Sequence, residues 1–188
     1  MPTQSSSALP SDLKRLQNRI AFICQAVRWM VVIWLAWILG LIFLPFTDPA
    51  GWIEKINKSP ALAEAPISVA NLIASRAVNL AVWAVAVLIG VAVWKLMTSY
   101  LQGDIFSETA ATKLRRVGQA GLLTTLANVI ARPLSLWVLS PAFFQNAPSI
   151  SYFVPDDLLY LLISGLILSL ARVYGAAAEI SAENRQFV

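Results

Sequence analysis

Four stretches of this chain are too long and too apolar to be ordinary core helices, and they constrain the fold more than anything else in it. They cover about 29–46, 77–94, 117–139 and 158–173. A helix needs roughly 20 predominantly apolar residues to cross the hydrocarbon core, because in lipid every backbone N–H and C=O must be satisfied within the segment. The first three stretches approach or exceed that length. The fourth is short, and is expected to extend backwards through Phe153 or to thin the bilayer locally. Composition agrees, with 58% hydrophobic residues, 13% charged and a mean hydropathy of +0.68. A soluble domain carries about a quarter charged residues. The expected fold is therefore all-α, a polytopic four-helix transmembrane bundle in one membrane domain over residues 1–188.

Basic residues set the expected orientation. Lys14, Arg15, Arg19 and Arg28 precede the first span, Lys95, Lys113, Arg115 and Arg116 lie between spans two and three, and Arg172 and Arg185 follow span four. Lys55, Lys58 and Arg76 stand in the loop 47–76, while the loop 140–157 has none. Ten against three puts both termini, the loop 95–116 and the tail 174–188 in the cytoplasm of a bacterial inner-membrane protein. The first span reads as a signal anchor rather than a cleaved signal peptide, since no small-x-small site follows it. The net charge of +4 then reflects topology and anionic-lipid contact, and no direct nucleic-acid binding is expected.

Punctuation between the spans adds detail. Ser11 or Asp12 is suited to cap a short amphipathic helix ahead of the first span. Trp52, Ile53 and Ile56 among charged neighbours predict a surface helix in the first external loop. Pro66 suits the start of helix two. Gly103 should end or bend that helix on the inner side. Ser107 then reads as the N-cap of helix three, with Glu108 in its first turn.

Polar residues within the spans are the candidates for function. Gly118, Gly121, Thr125, Asn128, Arg132 and Ser135 recur in steps of three and four, which places them on one helix face, expected to be internal. Asn79 belongs to a similar stripe on helix two. Arg132 stands out, because an intramembrane arginine costs about 2.5–3.5 kcal/mol on insertion scales. Two readings of it stand side by side. In one it anchors structure, snorkelling outward or pairing with Asp156 or Asp157 at the start of helix four. In the other it serves transport or signalling with Asn128.

The chain contains no histidine, and Cys24 is its one cysteine. Histidine metal sites, histidine acid–base catalysis and an intrachain disulfide are thereby excluded. No glycine-rich phosphate loop is present, and the acids are scattered in loops. No catalytic residue, cofactor or metal site is assigned.

Two segments resemble the DUF2975 family of small bacterial membrane proteins. One is Gly103-Asp104-Ile105-Phe106-Ser107 with the basic run Lys113-Leu114-Arg115-Arg116-Val117-Gly118. The other is Leu170-Ala171-Arg172-Val173-Tyr174, followed by Ala178-Glu179-Ile180-Ser181-Ala182-Glu183-Asn184 and Val188. The tail departs from the family pattern at Ala176 and Ala177 and in the Arg185-Gln186-Phe187 that precedes Val188. The resemblance implies a four-span membrane fold, and a regulatory membrane partner is conceivable because members are often encoded beside a small helix-turn-helix regulator.

The leading expectation is a non-enzymatic accessory or regulatory protein acting through a membrane or cytoplasmic protein partner. Gly103, Phe106, Ser107, Arg115, Arg116, Glu179 and Glu183 are its candidate contacts. The alternative is a small transporter or channel subunit that functions as a homo-oligomer. The lipid bilayer is a partner in either case.

Overall fold

The computed structural model describes residues 11–58, 67–103, 107–140 and 154–184, without the side chains of 11–20 and 181–184. Pro66, Asp104, Phe106 and the side chain of Glu183 lie outside the described residues. The elements run α1 (Ser11–Phe43), a 3-10 turn (Leu44–Phe46), α2 (Pro49–Asn57), α3 (Val69–Leu101), α4 (Glu108–Leu139) and α5 (Pro155–Asn184). Four segments are long and apolar enough to cross a membrane: Ala21–Phe46, Val69–Leu101, Glu108–Leu139 and Pro155–Ile180. Their outward faces carry large apolar side chains such as Leu123, Ile130, Leu162 and Val173. On a soluble monomer such apolar patches would be a liability, whereas in lipid they are the solvated surface. The chain is an all-α, multi-pass membrane protein.

Local chemistry accounts for the helix ends. Ser68 Oγ accepts from Asn71 N at 3.2 Å to cap α3, and Ser107 Oγ accepts from Ala110 N at 3.0 Å to cap α4. Asp48 caps α2 by accepting from Gly51 N at 3.0 Å, with Pro49 in the first turn, where its missing N–H costs nothing. Gly103 takes φ +82° just beyond α3, a left-handed conformation that a side chain would disfavour. Residues 11–20 are continuous with the first span in one α1. The fourth span, expected to be short, belongs to a helix of 30 residues, since Pro155 starts it and alanines carry it past Tyr174.

Packing follows a chain of neighbours. α1 packs on α3, α3 on α4, and α4 on α5, while among the described residues α1 and α5 do not meet. Among the described residues the backbones of α1 and α5 are thus more widely spaced than those of the packed pairs. Small residues bring the packed pairs close. A Cβ on Gly90 would lie 2.7 Å from Leu35 Cδ1, and one on Gly118 would lie 2.7 Å from Leu168 Cγ. At the α1–α3 contact Trp83 Nε1 donates to the Leu35 carbonyl at 2.9 Å, which satisfies an indole N–H within a span.

Candidate functional site

The polar stripe of α4 faces inward at Gly118, Gly121 and Thr125, whereas Asn128 is exposed. Gly118, Thr124 and Thr125 are buried, and a Cβ on Gly121 would lie 2.7 Å from Ser164 Oγ on α5. The hydroxyls of Thr124 and Thr125 donate to the carbonyls of Ala120 and Gly121 at 2.9 and 3.0 Å. Asn128 Nδ2 donates to the Thr124 carbonyl at 3.1 Å. On α3, Asn79 Nδ2 donates likewise to the Ser75 carbonyl at 2.9 Å. Each of these groups thus meets part of its hydrogen-bonding requirement on its own helix, the cheapest partner available in a low-dielectric interior.

Arg132 meets Asp157 in a bidentate pair. Nη1 donates to Oδ2 at 2.6 Å and Nη2 to Oδ1 at 3.0 Å. The fork geometry of guanidinium and carboxylate makes this the strongest kind of side-chain pairing. Asp157 is 1% exposed, and its Oδ2 also accepts from Val154 N at 2.9 Å, as the third residue of a helix does when it reaches back to the cap. Its charge additionally sits at the positive end of α5. Asp156, beside it in sequence, is exposed. Of the two acids available to Arg132, the helical step turns Asp157 inward and Asp156 out.

The pair closes one end of a cavity of about 520 Å³ between α1, α3, α4 and α5. Asn79, Asn128, Thr124, Tyr160 and Ser164 line it together with Arg132 and Asp157, and Trp34, Ile38 and Ile42 of α1 supply an apolar wall. Three of the singled-out polar residues, Asn79, Asn128 and Arg132, thus share one space with Asp157. Trp83 and Tyr160, which also line it, carried no sequence-based assignment. A tryptophan well inside a span and a tyrosine one step beyond Asp157 on its helix face were the available signals.

The other candidates lie at the opposite end of the bundle. Gly103 and Ser107 bracket the turn between α3 and α4, and Lys113 Nζ donates to Ser99 Oγ at 3.0 Å across the junction. Arg28 stacks over Trp94 at 3.7 Å, which fixes α1 to the end of α3. Arg115, Arg116 and Glu179 are exposed and form no ion pair among the described residues. The structure makes them parts of an ordered surface and does not bring them into a pocket. No group of three His, Cys, Asp or Glu suited to a metal ion occurs among the described residues.

Arg76 is not singled out as a candidate by the sequence. It counts there with the loop 47–76, although the early start expected for helix two already makes it helical; α3 begins at Val69 and carries it two turns into the helix. Its Nε is buried without an acceptor among the described residues. A count of basic residues cannot detect this, because it treats a helical arginine and a loop arginine alike.

A family model described as a protein of unknown function, DUF2975, matches residues 58–186, which takes in α3, α4 and α5 and leaves out α1 and α2. No curated protein and no solved structure matches the chain.

Proposed function

We propose that this chain, which belongs to the DUF2975 family, is a non-enzymatic accessory or regulatory membrane protein that acts through a protein partner. The observation that carries this reading is the end of the bundle where α4 begins and the C-terminal part of α5 packs beside it, with Gly175 close to Ala111. There α5 continues as a helix beyond Arg172 to Asn184. Exposed Arg115, Arg116 and Glu179 give that surface both signs of charge, unpaired among the described residues. Such a mixed-charge helical surface suits protein recognition, because complementary charges steer and select a partner. On the orientation that the basic residues favour, it faces the cytoplasm of a bacterial inner membrane.

The rival reading, an oligomeric transporter or channel subunit, needs Arg132 and Asn128 to serve a continuous polar path. The bidentate engagement of Arg132 by Asp157 weighs against it, since the two charges neutralise each other within one chain.

Affinity purification of the tagged protein at native expression level, with in-membrane cross-linking and mass spectrometry, tests the proposal. A stoichiometric partner is expected, lost when residues 174–188 are deleted and weakened by Arg115→Glu with Arg116→Glu. Recovery of the chain alone, or only with copies of itself, would overturn it.

A further inference from the structure

The cavity beside the ion pair lies between α1 and α5, which wall it with Trp34, Ile38, Tyr160 and Ile163 although, among the described residues, their backbones do not approach each other closely. Its lining changes along its length. Asp157 stands in the first turn of α5, and Arg132 lies two turns inside the end of α4. Asn79 and Asn128 follow at about 15 Å from the helix ends, and Ile89 and Val117 at about 30 Å. The space is thus polar at the Arg132 end and apolar at the other.

We propose that this cavity holds a bilayer lipid with one acyl chain in the groove and a small, uncharged, hydrogen-bonding headgroup of the monoacylglycerol kind at the Arg132 end. The headgroup follows from the charges: Arg132 and Asp157 cancel, and among the described residues no other ionised side chain lines the space. An anionic head would meet the Asp157 carboxylate with no unmatched cation to balance it. The hydrogen bonding follows from what the asparagines have left. Asn79 and Asn128 each use one amide N–H on a helix carbonyl, which leaves an amide oxygen and a second N–H to the cavity. Tyr160, about half exposed, also lines the space, and among the described residues its hydroxyl has no hydrogen-bond partner. Polar groups exposed to lipid tails are costly, so an occupant that supplies hydroxyls is favoured over a bare hydrocarbon chain. The chain's place follows from Ile38, Ile89, Val117 and Ile167, which line the rest. The volume lies within the range of small-molecule sites. Because α1 and α5 meet only through side chains at the cavity, a lipid needs no backbone contact to be broken in order to enter between them.

The test uses the full chain reconstituted in vesicles of phosphatidylethanolamine and phosphatidylglycerol, with a monoacylglycerol bearing a photoactivatable diazirine on its acyl chain. Labelling is expected on the cavity-lining segments of α3, α4 and α5, competed by unlabelled mono-oleoylglycerol. It should fall about tenfold in Asn79→Leu with Asn128→Leu, the scale of losing one to two hydrogen bonds. Ala86→Phe, which fills the groove, should reduce it similarly by another route, and Leu123→Ala on the outward face should leave it unchanged. Variants are compared only where they elute as a single species with wild-type helicity. Labelling spread evenly over outward residues such as Leu123 and Leu162 would overturn the proposal. So would indifference to both kinds of variant, equal labelling by the corresponding free fatty acid, or cross-linking of two copies at α1 and α5 in place of lipid. The outcome is independent of whether residues 174–188 bind a partner.

Discussion

Arg132 and Arg76 enter the same end of the bundle at the same depth, each seven residues from a helix terminus, at Leu139 and Val69 respectively. By helix rise that is about 10 Å in both cases. Arg132 finds a carboxylate that is 1% exposed and takes both of its oxygens, whereas among the described residues Arg76 has no ion-pair partner and its buried Nε no acceptor. The difference lies in the neighbouring helix. α4 packs on α5 through glycines, and α5 opens with an acid in its third position. α3 offers Arg76 no comparable acid among its described neighbours. Depth alone therefore does not decide whether a membrane arginine is structural: an opposed acid at close helix contact does.

The sharpest way to break this comparison is to remove each arginine in turn. Arg132→Ala should cost about 3–5 kcal/mol, because it strands the buried Asp157 charge, and thermal unfolding in detergent followed by size-exclusion chromatography would show it. Arg132→Leu with Asp157→Leu should recover most of that loss. A double variant as unstable as the single one would mean that the pair itself, and not the stranded charge, supports the fold.

Separating α4 from α5 is the next test. Gly118→Leu places a side chain where even a Cβ would lie 3.2 Å from the Leu168 backbone, so a loss of about 1–3 kcal/mol is expected in the same assay. If the glycine contact positions the pair, a cysteine cross-link between positions 132 and 157 should also form more slowly in that background. A smaller loss is expected at the tie between α3 and α4. Asn71 Nδ2 donates to the carbonyls of Val138 and Leu139, both at 3.2 Å, so Asn71→Leu should cost about 1 kcal/mol. Arg76→Ala should change stability least, by less than about 0.5 kcal/mol. A loss as large as that of Arg132→Ala would show that Arg76 is held by a contact comparable to the Asp157 pair.

Sequence reasoning reached Arg132 and its two possible acids, but not the choice between them. Asp156 and Asp157 are equivalent in composition and almost in position, and only the rotation of α5 against α4 separates them. The stripe from Gly118 to Thr125 was readable because helical periodicity is local. Tyr160 and Trp83 were not, because their importance comes from sharing a space with side chains on other helices. Arg76 was passed over for a related reason: its place in α3, eight residues after the Ser68 cap, is local, but the burial of its Nε depends on the side chains that other helices bring against it.

What the sequence determined by itself was residence in a membrane, the number of long helices, and the cap at Ser107. Hydropathy and capping act within one segment and need no knowledge of its neighbours. The tertiary structure alone decided that α1 and α5 stand apart, that Asp157 rather than Asp156 neutralises Arg132, and that the asparagines of two helices face one cavity. In lipid, helices gain little from hydrophobic association, so their arrangement rests on glycine contacts and a few polar pairs. Those are properties of two surfaces together, and neither helix carries them alone.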